Sequence, residues 1–412
     1  MGNRPLEGIR VVEMATFIAA PCTARLLADL GAEVIKVEPP MGDPLRYTAV
    51  NEGRPLDQKE NTSYDLENAG KTCISLNTKS EEGREALEKL LATADVFICN
   101  WRQSPLKRAG LDWETLHEKY PKLVYGYVSG YGEKGPDKDL PGFDFTAFYA
   151  RGGILGPLRD RNSLPMLTVQ GFGDHQVAMN LAAGVLAALF KAKMTGEGDH
   201  VVVSLFHSAI WDISLMLQAS QYGADSTQYP MERWKLGNPL VLCYETADGQ
   251  WLQIAMPQYD RHYPILMNAM GYPELADDAR YYPQKNLIPN REEFSAWITA
   301  EFKKKTCDEW CKLLDANDLP YAIAQEWDSL LEDKQAWASD CFYEMSYSNG
   351  NKRTLVRPPV LFDQMGLPPY ERGPYLGEQT KDILGELGYS AEAIDELIKS
   401  GAAIDMDPAL RD

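Results

Sequence analysis

Three stretches of the chain carry residues able to do chemistry. In VQGFGDHQVAMNLAAGVLAALFKA (169–192) a lone carboxylate, Asp174, stands between a glycine turn and an apolar run from Val177 to Phe190 interrupted only by Asn180 and Gly184. The run reads as a helix buried on most sides, which puts Asp174 at the mouth of something buried. An aspartate there can cap the helix and suit the positive end of its dipole, or it can be a reacting group. In NWRQSPLKRAG (100–110), Arg102, Lys107 and Arg108 follow a strand end, where they could meet the phosphates of a ligand, and Trp101 offers a flat face to a purine ring. The same residues could equally form a solvated basic helix. LPGFDFTAFYARGG (140–153) holds four aromatics, of which Phe145, Phe148 and Tyr149 fall on one side of a helix, as core or as the wall of an apolar pocket.

The elements that must position these residues follow from periodicity. IRVVEM (9–14) reads as a strand, followed by the small-residue loop TFIAAP and a helix from Pro21 to Leu30 that Gly31 ends. EVIKVEPP (33–40), TCISLN (72–77), DVFICN (95–100), LVYGYVSG (123–130) and HVVVSL (200–205) are further strands, with helices between them. This alternation predicts an α/β protein with a doubly wound parallel sheet and a ligand crevice at the carboxyl ends of its strands. The first turn lacks GxGxxG, so NAD is not expected. After Tyr222 the composition shifts to turn formers and aromatics. Residues 223–334 are expected to form a smaller α/β domain, with 1–222 and 335–412 making a large discontinuous one.

Bulk properties narrow the partners. Sixty acidic against 41 basic residues give a net charge of −19, which repels nucleic acid and anionic membranes over most of the surface. No apolar stretch is read as approaching the ~20 residues of a membrane span, and MGNRPLEG lacks a signal-peptide core, so a soluble cytoplasmic protein is expected. The seven cysteines are scattered, which suits reduced thiols. Cys307 and Cys311 lie one helical turn apart without histidine partners, so no metal is expected, and there is no P-loop.

LEGIRVVEMATFIAAPCTARLLADLGAEVIKVEPPMGDPLR, SLNTKS, DVFICNWR, the FGDHQ turn and LAAGVLAALFKAKMTGEGDHVVVSL fall in the order of one family. Over nearly all of residues 6–370 the chain resembles the class III CoA-transferases, the CaiB/BaiF type. The resemblance implies a large Rossmann-like domain, a smaller one, and two ring-like subunits interlocked as a homodimer. It places the family's catalytic aspartate on Asp174. CoA contacts fall on Leu76, Asn100, Trp101 and Arg108, with Lys36 and Val11 lining the same cleft. DPLRYTAVNEGRPL, NTSYDLENAGK and GNPLVLCYETADG look most like the branch that loads 2-hydroxy acids of the phenyllactate and 2-hydroxyisocaproate type. Where the formyl-CoA branch has a glutamine near the aspartate, this chain has Phe17, which argues against small polar acids.

The implied chemistry is covalent: Asp174 attacks an acyl-CoA to give a mixed anhydride, the CoA thiolate converts this to an aspartyl-CoA thioester, and the acceptor acid reverses the sequence. Acyl-CoA and CoA are then substrates, and ATP is not needed because one thioester is exchanged for another. Gly171 and Gly173 would let backbone amides hold the oxyanion. Phe17, Phe143, Phe145 and Phe148 would exclude water and receive a bulky acid. His175 is a neighbour of Asp174, but carboxylate attack needs no base. Two rivals stand beside this reading. A racemase of the α-methylacyl-CoA type needs a histidine where this chain has Phe143, and a noncatalytic CoA-binding subunit would use Asp174 only as a helix cap.

Overall fold

The β-rich runs lie side by side in one sheet. In the computed structural model, which describes residues 4–223, 229–368 and 371–411, these are β1 (Arg10–Met14), β2 (Glu33–Glu38), β3 (Thr72–Leu76), β4 (Val96–Cys99), β5 (Val124–Ser129) and β6 (His200–Ser204). They pair in parallel in the order β3-β2-β1-β4-β5-β6, and a short strand, Ala403–Ile404, joins antiparallel at the β3 edge. The order reverses between β1 and β4, and an open sheet binds ligands outside the carboxyl ends of its strands at that reversal.

The pleat sends alternate residues to opposite faces. Val12, Met14, Ile35, Val37, Ile74, Leu76, Phe97 and Cys99 enter a core completed by α3 (Glu81–Leu91), α4 (Gln103–Ala109), α5 (Trp113–Lys119) and the C-terminal helices Thr380–Glu386 and Ala391–Ser400. On the other face lie α1 (Ala19–Asp29) and α6 (Phe172–Thr195), packed on each other, while α2 (Thr62–Asn68) rests against α1. Gly126 in β5 gives α6 its close approach, since a Cβ there would meet Val185 at 3.1 Å.

α6 corrects two expectations. It is 24 residues long, and one 18-residue window is apolar enough to cross a membrane by length and composition, so a stretch of that length is present after all. Nor is it buried on most sides. Val177, Ala178, Leu181, Val185 and Leu189 are buried, whereas Phe190 and Met194 are about three-quarters exposed.

The chain divides into two compact units: Met1–Ile154, Leu167–Leu217 and Lys334–Asp412 form the first, Leu155–Met166 and Gln218–Asp333 the second. Residues 155–166, assigned from sequence to the large domain, therefore group with the smaller unit. There, a three-stranded antiparallel sheet (Cys243–Glu245, Trp251–Ile254, Tyr321–Ile323) backs a core that includes Tyr244 stacked on Phe302 at 4.5 Å. Cys307 is buried in that core.

Candidate active site

The loops that follow β1 and β4 are tied together at the sheet reversal. The Asn100 side chain accepts the Thr16 N–H at 3.1 Å and donates to the Thr16 carbonyl at 2.8 Å. The next residue, Phe17, has φ +64, a left-handed backbone that a bulky side chain rarely adopts. Its N–H donates to Asp43 Oδ1 at 3.1 Å, and Asp43 Oδ2 is ion-paired with Lys36 Nζ at 3.0 Å. Lys36 also pairs with Glu13 at 2.6 Å and donates to the Ala15 carbonyl at 3.1 Å, while Lys71 meets the other oxygen of Glu13 at 2.6 Å. All four charged side chains are buried. Burial disfavours the Lys36 ammonium, but Glu13 and Asp43 more than offset this and raise its pKa.

Asp174 does not cap its helix. The N-cap is Gly171 at φ +82, which makes Asp174 the third helical residue, and no side-chain cap bond is made. Its carboxylate has no hydrogen-bond partner among the described residues. Burial pushes its pKa up to about 7, helped by the charges of Asp144 and Glu67 and opposed by His175. The Gly173 amide is already committed, donating to Asp144 Oδ1 at 3.2 Å, so its expected oxyanion role is not available in this arrangement. Burial also lifts Asp144, to about 6, against the Gly171 and Gly173 amides and His175. His175 Nε2 lies 2.8 Å from Glu67 Oε1 on α2. Burial lowers the imidazolium's affinity for its proton, but Glu67, Asp174 and Asp144 outweigh it and raise the His175 pKa. Cys22, Glu67 and His175 bring three potential metal-ligand atoms within 4.8 Å of one another.

Asp174 lines a pocket of about 230 Å³ with Phe17, Asn100, Phe143, Arg102 and Lys138. Phe17 and Phe143 meet edge to face at 6.1 Å. A larger cavity of about 700 Å³ lies by the hairpin Phe342–Ser346/Lys352–Val356, but its Arg372 and Glu378 are spent on each other at 2.8 Å, and it holds no group resembling Asp174. Arg108 stands in another cavity of about 360 Å³, with Arg84, Lys107 and Lys119.

Several sequence assignments change. The side chains of Lys36 and Val11 are completely buried and are not among the lining of the Asp174 pocket: Lys36 is spent on its ion pairs, and Val11 is a core residue of a central strand. Leu76 is buried in the sheet core, and Trp101 packs against that core. Phe148 is fully buried with its ring against Gly173, so it seats α6 and does not face a substrate; Phe145 is exposed but lies outside the pocket lining. The reason is a π-helical turn over Asp144–Ala150, whose wider repeat separates residues that α-helical spacing would align. Asp144, Glu67, Asp43 and Lys138 were not singled out from sequence; the Phe-Asp-Phe inside an aromatic run was the only hint of Asp144.

Residues 6–380 match CoA-transferase family III, and the chain belongs to that family. It is 52% identical over 394 residues to the cinnamoyl-CoA:phenyllactate CoA-transferase of Clostridium sporogenes, covering 95% of this chain and 96% of that protein. It is 41% identical over 390 residues to the (R)-2-hydroxy-4-methylpentanoate CoA-transferase of Clostridioides difficile, covering 95% and 97%. Among solved structures, that of a CAIB/BAIF family protein from Brucella suis is similar with a TM-score of 0.79 and 27% identity, over 94% of this chain and all of the other. The orthorhombic form of Mycobacterium tuberculosis Rv3272 gives 0.81 and 26%, over 92% and 99%.

Proposed function

We propose that this CoA-transferase moves CoA from an acyl-CoA to an aromatic or branched 2-hydroxy acid, through covalent intermediates on Asp174. The observation that carries the reading is a carboxylate without a hydrogen-bond partner among the described residues, lining one pocket with Phe17, Phe143 and the cations Arg102 and Lys138. An Asp174 oxygen attacks the thioester carbonyl, the C–S bond breaks, and CoA leaves as thiolate. The thiolate then attacks the aspartyl carbonyl of the anhydride and releases the donor acid, leaving aspartyl-CoA. The acceptor carboxylate repeats both steps in reverse, so thioester energy is conserved. The aromatic pair limits water at the anhydride and gives an apolar acid side chain a surface to bury. Arg102 and Lys138 at the pocket, and Arg84, Lys107, Arg108 and Lys119 in a separate cavity, are cations suited to CoA phosphates.

A screen of donors and acceptors with mass-spectrometric detection of new thioesters tests this. Phenyllactate and 2-hydroxy-4-methylpentanoate should gain CoA from cinnamoyl-CoA or a related donor. A protein that instead only inverted a 2-methylacyl-CoA would be a racemase. The absence of histidine from the pocket lining speaks against that, since two-base proton exchange would lack a partner at Phe143.

A homodimer belongs to the same proposal. Phe172, Phe190, Met194, Trp211 and Leu215 of the first unit are each more than 60% exposed, and covering such side chains takes apolar area out of water. A second copy is the proposed cover. Light scattering should give twice the chain mass, and a monomer at micromolar concentration would remove this part. The free cysteines suit the cytoplasm as the place of action.

A further inference from the structure

Asp174 has a neighbour that the covalent route leaves unused. Asp144 opens the π-helical turn and is 4% exposed, and its two carboxylate oxygens are treated differently. Oδ1 accepts the Gly173 amide at 3.2 Å, while Oδ2 is buried with no hydrogen-bond partner. A Cβ at Gly173 would overlap both the Asp144 carboxylate and the Phe148 ring, so the first turn of α6 sits directly on Asp144. Three charged groups act on Asp174: Asp144 from the π-helical turn, Glu67 from α2, and His175 from its own helix. Glu67 and His175 face each other at 2.8 Å and form an ion pair when the imidazole is protonated. Asp144 has no ion-pair partner among the described residues, and its charge is moderated by the Gly171 and Gly173 amides and by His175.

We propose that Asp144 is a positioning residue that favours the acylated form of Asp174, by seating the turn that carries the nucleophile and confronting it with a second carboxylate that has no ion-pair partner. Two carboxylates brought together out of water repel. When Asp174 attacks, its oxygen forms the new C–O bond, the C–S bond breaks, and the negative charge departs with the CoA thiolate. Residue 174 is then neutral, so the repulsion exists in the free enzyme and vanishes in the covalent one. The same field makes Asp174 a more basic and therefore stronger nucleophile. Only the anion attacks, so acylation should rise with pH through about 7 and level off above it.

This rests on Asp174 being the acylated residue, and the test separates the two claims. Asp144→Asn keeps an oxygen for the Gly173 amide and removes the charge. Single-turnover acylation, followed by rapid quench and intact-protein mass between about pH 5 and 9, should show the acid limb moving down by about one unit and the equilibrium share of aspartyl-CoA falling about tenfold. Asp144→Glu, which restores the charge, should return the limb toward its original place. A rate lowered evenly at every pH with the limb unmoved is the mark of a purely structural residue and overturns the inference. Carboxyl NMR of the unaltered protein supplies a measurement that needs no variant: two coupled aspartate titrations near neutrality that become one after acylation support it, and independent titrations overturn it. If the unaltered protein gains no adduct mass at all, the assignment of Asp174 fails; if adduct forms but ignores Asp144, only the present inference fails.

Discussion

Asp174→Ala is expected to lower CoA exchange by at least about 10⁴-fold while CoA binding stays within a few fold, because the side chain removed is the proposed bond-forming group and no other carboxylate among the described residues lines the pocket to replace it. The variant should fold normally. Asp174 caps nothing and has no hydrogen-bond partner among the described residues, so no backbone group is orphaned by its loss. Its pKa is raised to about 7 in the folded protein, so the native state holds this proton more tightly than the unfolded chain does. Ionisation in place is therefore a stability cost that is absent below about pH 4 and grows as pH rises toward 7. Removing the group should leave Tm unchanged at pH 4 and level or higher at pH 8. Exchange assays with calorimetry at both pH values check this, and retained turnover would refute the assignment of the nucleophile.

Lys36→Met should be the most damaging single change to the fold among those considered. It strips the buried carboxylates of Glu13 and Asp43 of their shared cation and the Ala15 carbonyl of its donor. Removing one partner of a buried ion pair costs about 3–5 kcal/mol, against which the extra apolar volume of Met gives little. A fall in Tm of roughly 4–6 °C follows for a protein of this size. Activity should fall with it, since Asp43 anchors the Phe17 N–H at the pocket. If thermal denaturation were instead unaltered and only the KM for acyl-CoA rose, Lys36 would be a ligand contact after all.

The distinction between these two residues marks how far the chain can be read unaided. Strand and helix periods are local, so the order of elements from β1 to β6 was legible, as was the crevice beyond Cys99 where Asn100 and Arg102 stand. Asp174 stands out in the sequence because a single carboxylate interrupts a glycine turn before an apolar helix. Lys36 was not: in a central parallel strand both faces are buried, so nothing in EVIKVE tells an inward lysine from one that reaches a ligand. Asp144 was missed because its meaning lies in a bond to an amide 29 residues away. Phe145 and Phe148 were grouped by α-helical spacing, which the π-helical turn does not keep. The left-handed backbone of Phe17 is unreadable, since bulky residues are the ones least expected there.

That backbone also says something about how such an enzyme can diversify. A side chain at residue 17 stands against the conformational preference of its own peptide unit, so trimming it to glycine would widen the pocket and relax the backbone in one step. The ring lost in that exchange packs against Ile18, Leu45 and Tyr64 and edge-on to Phe143, so the relief of the peptide unit is set against forfeited apolar contact. Remodelling of the pocket and local cohesion are therefore coupled at this one position.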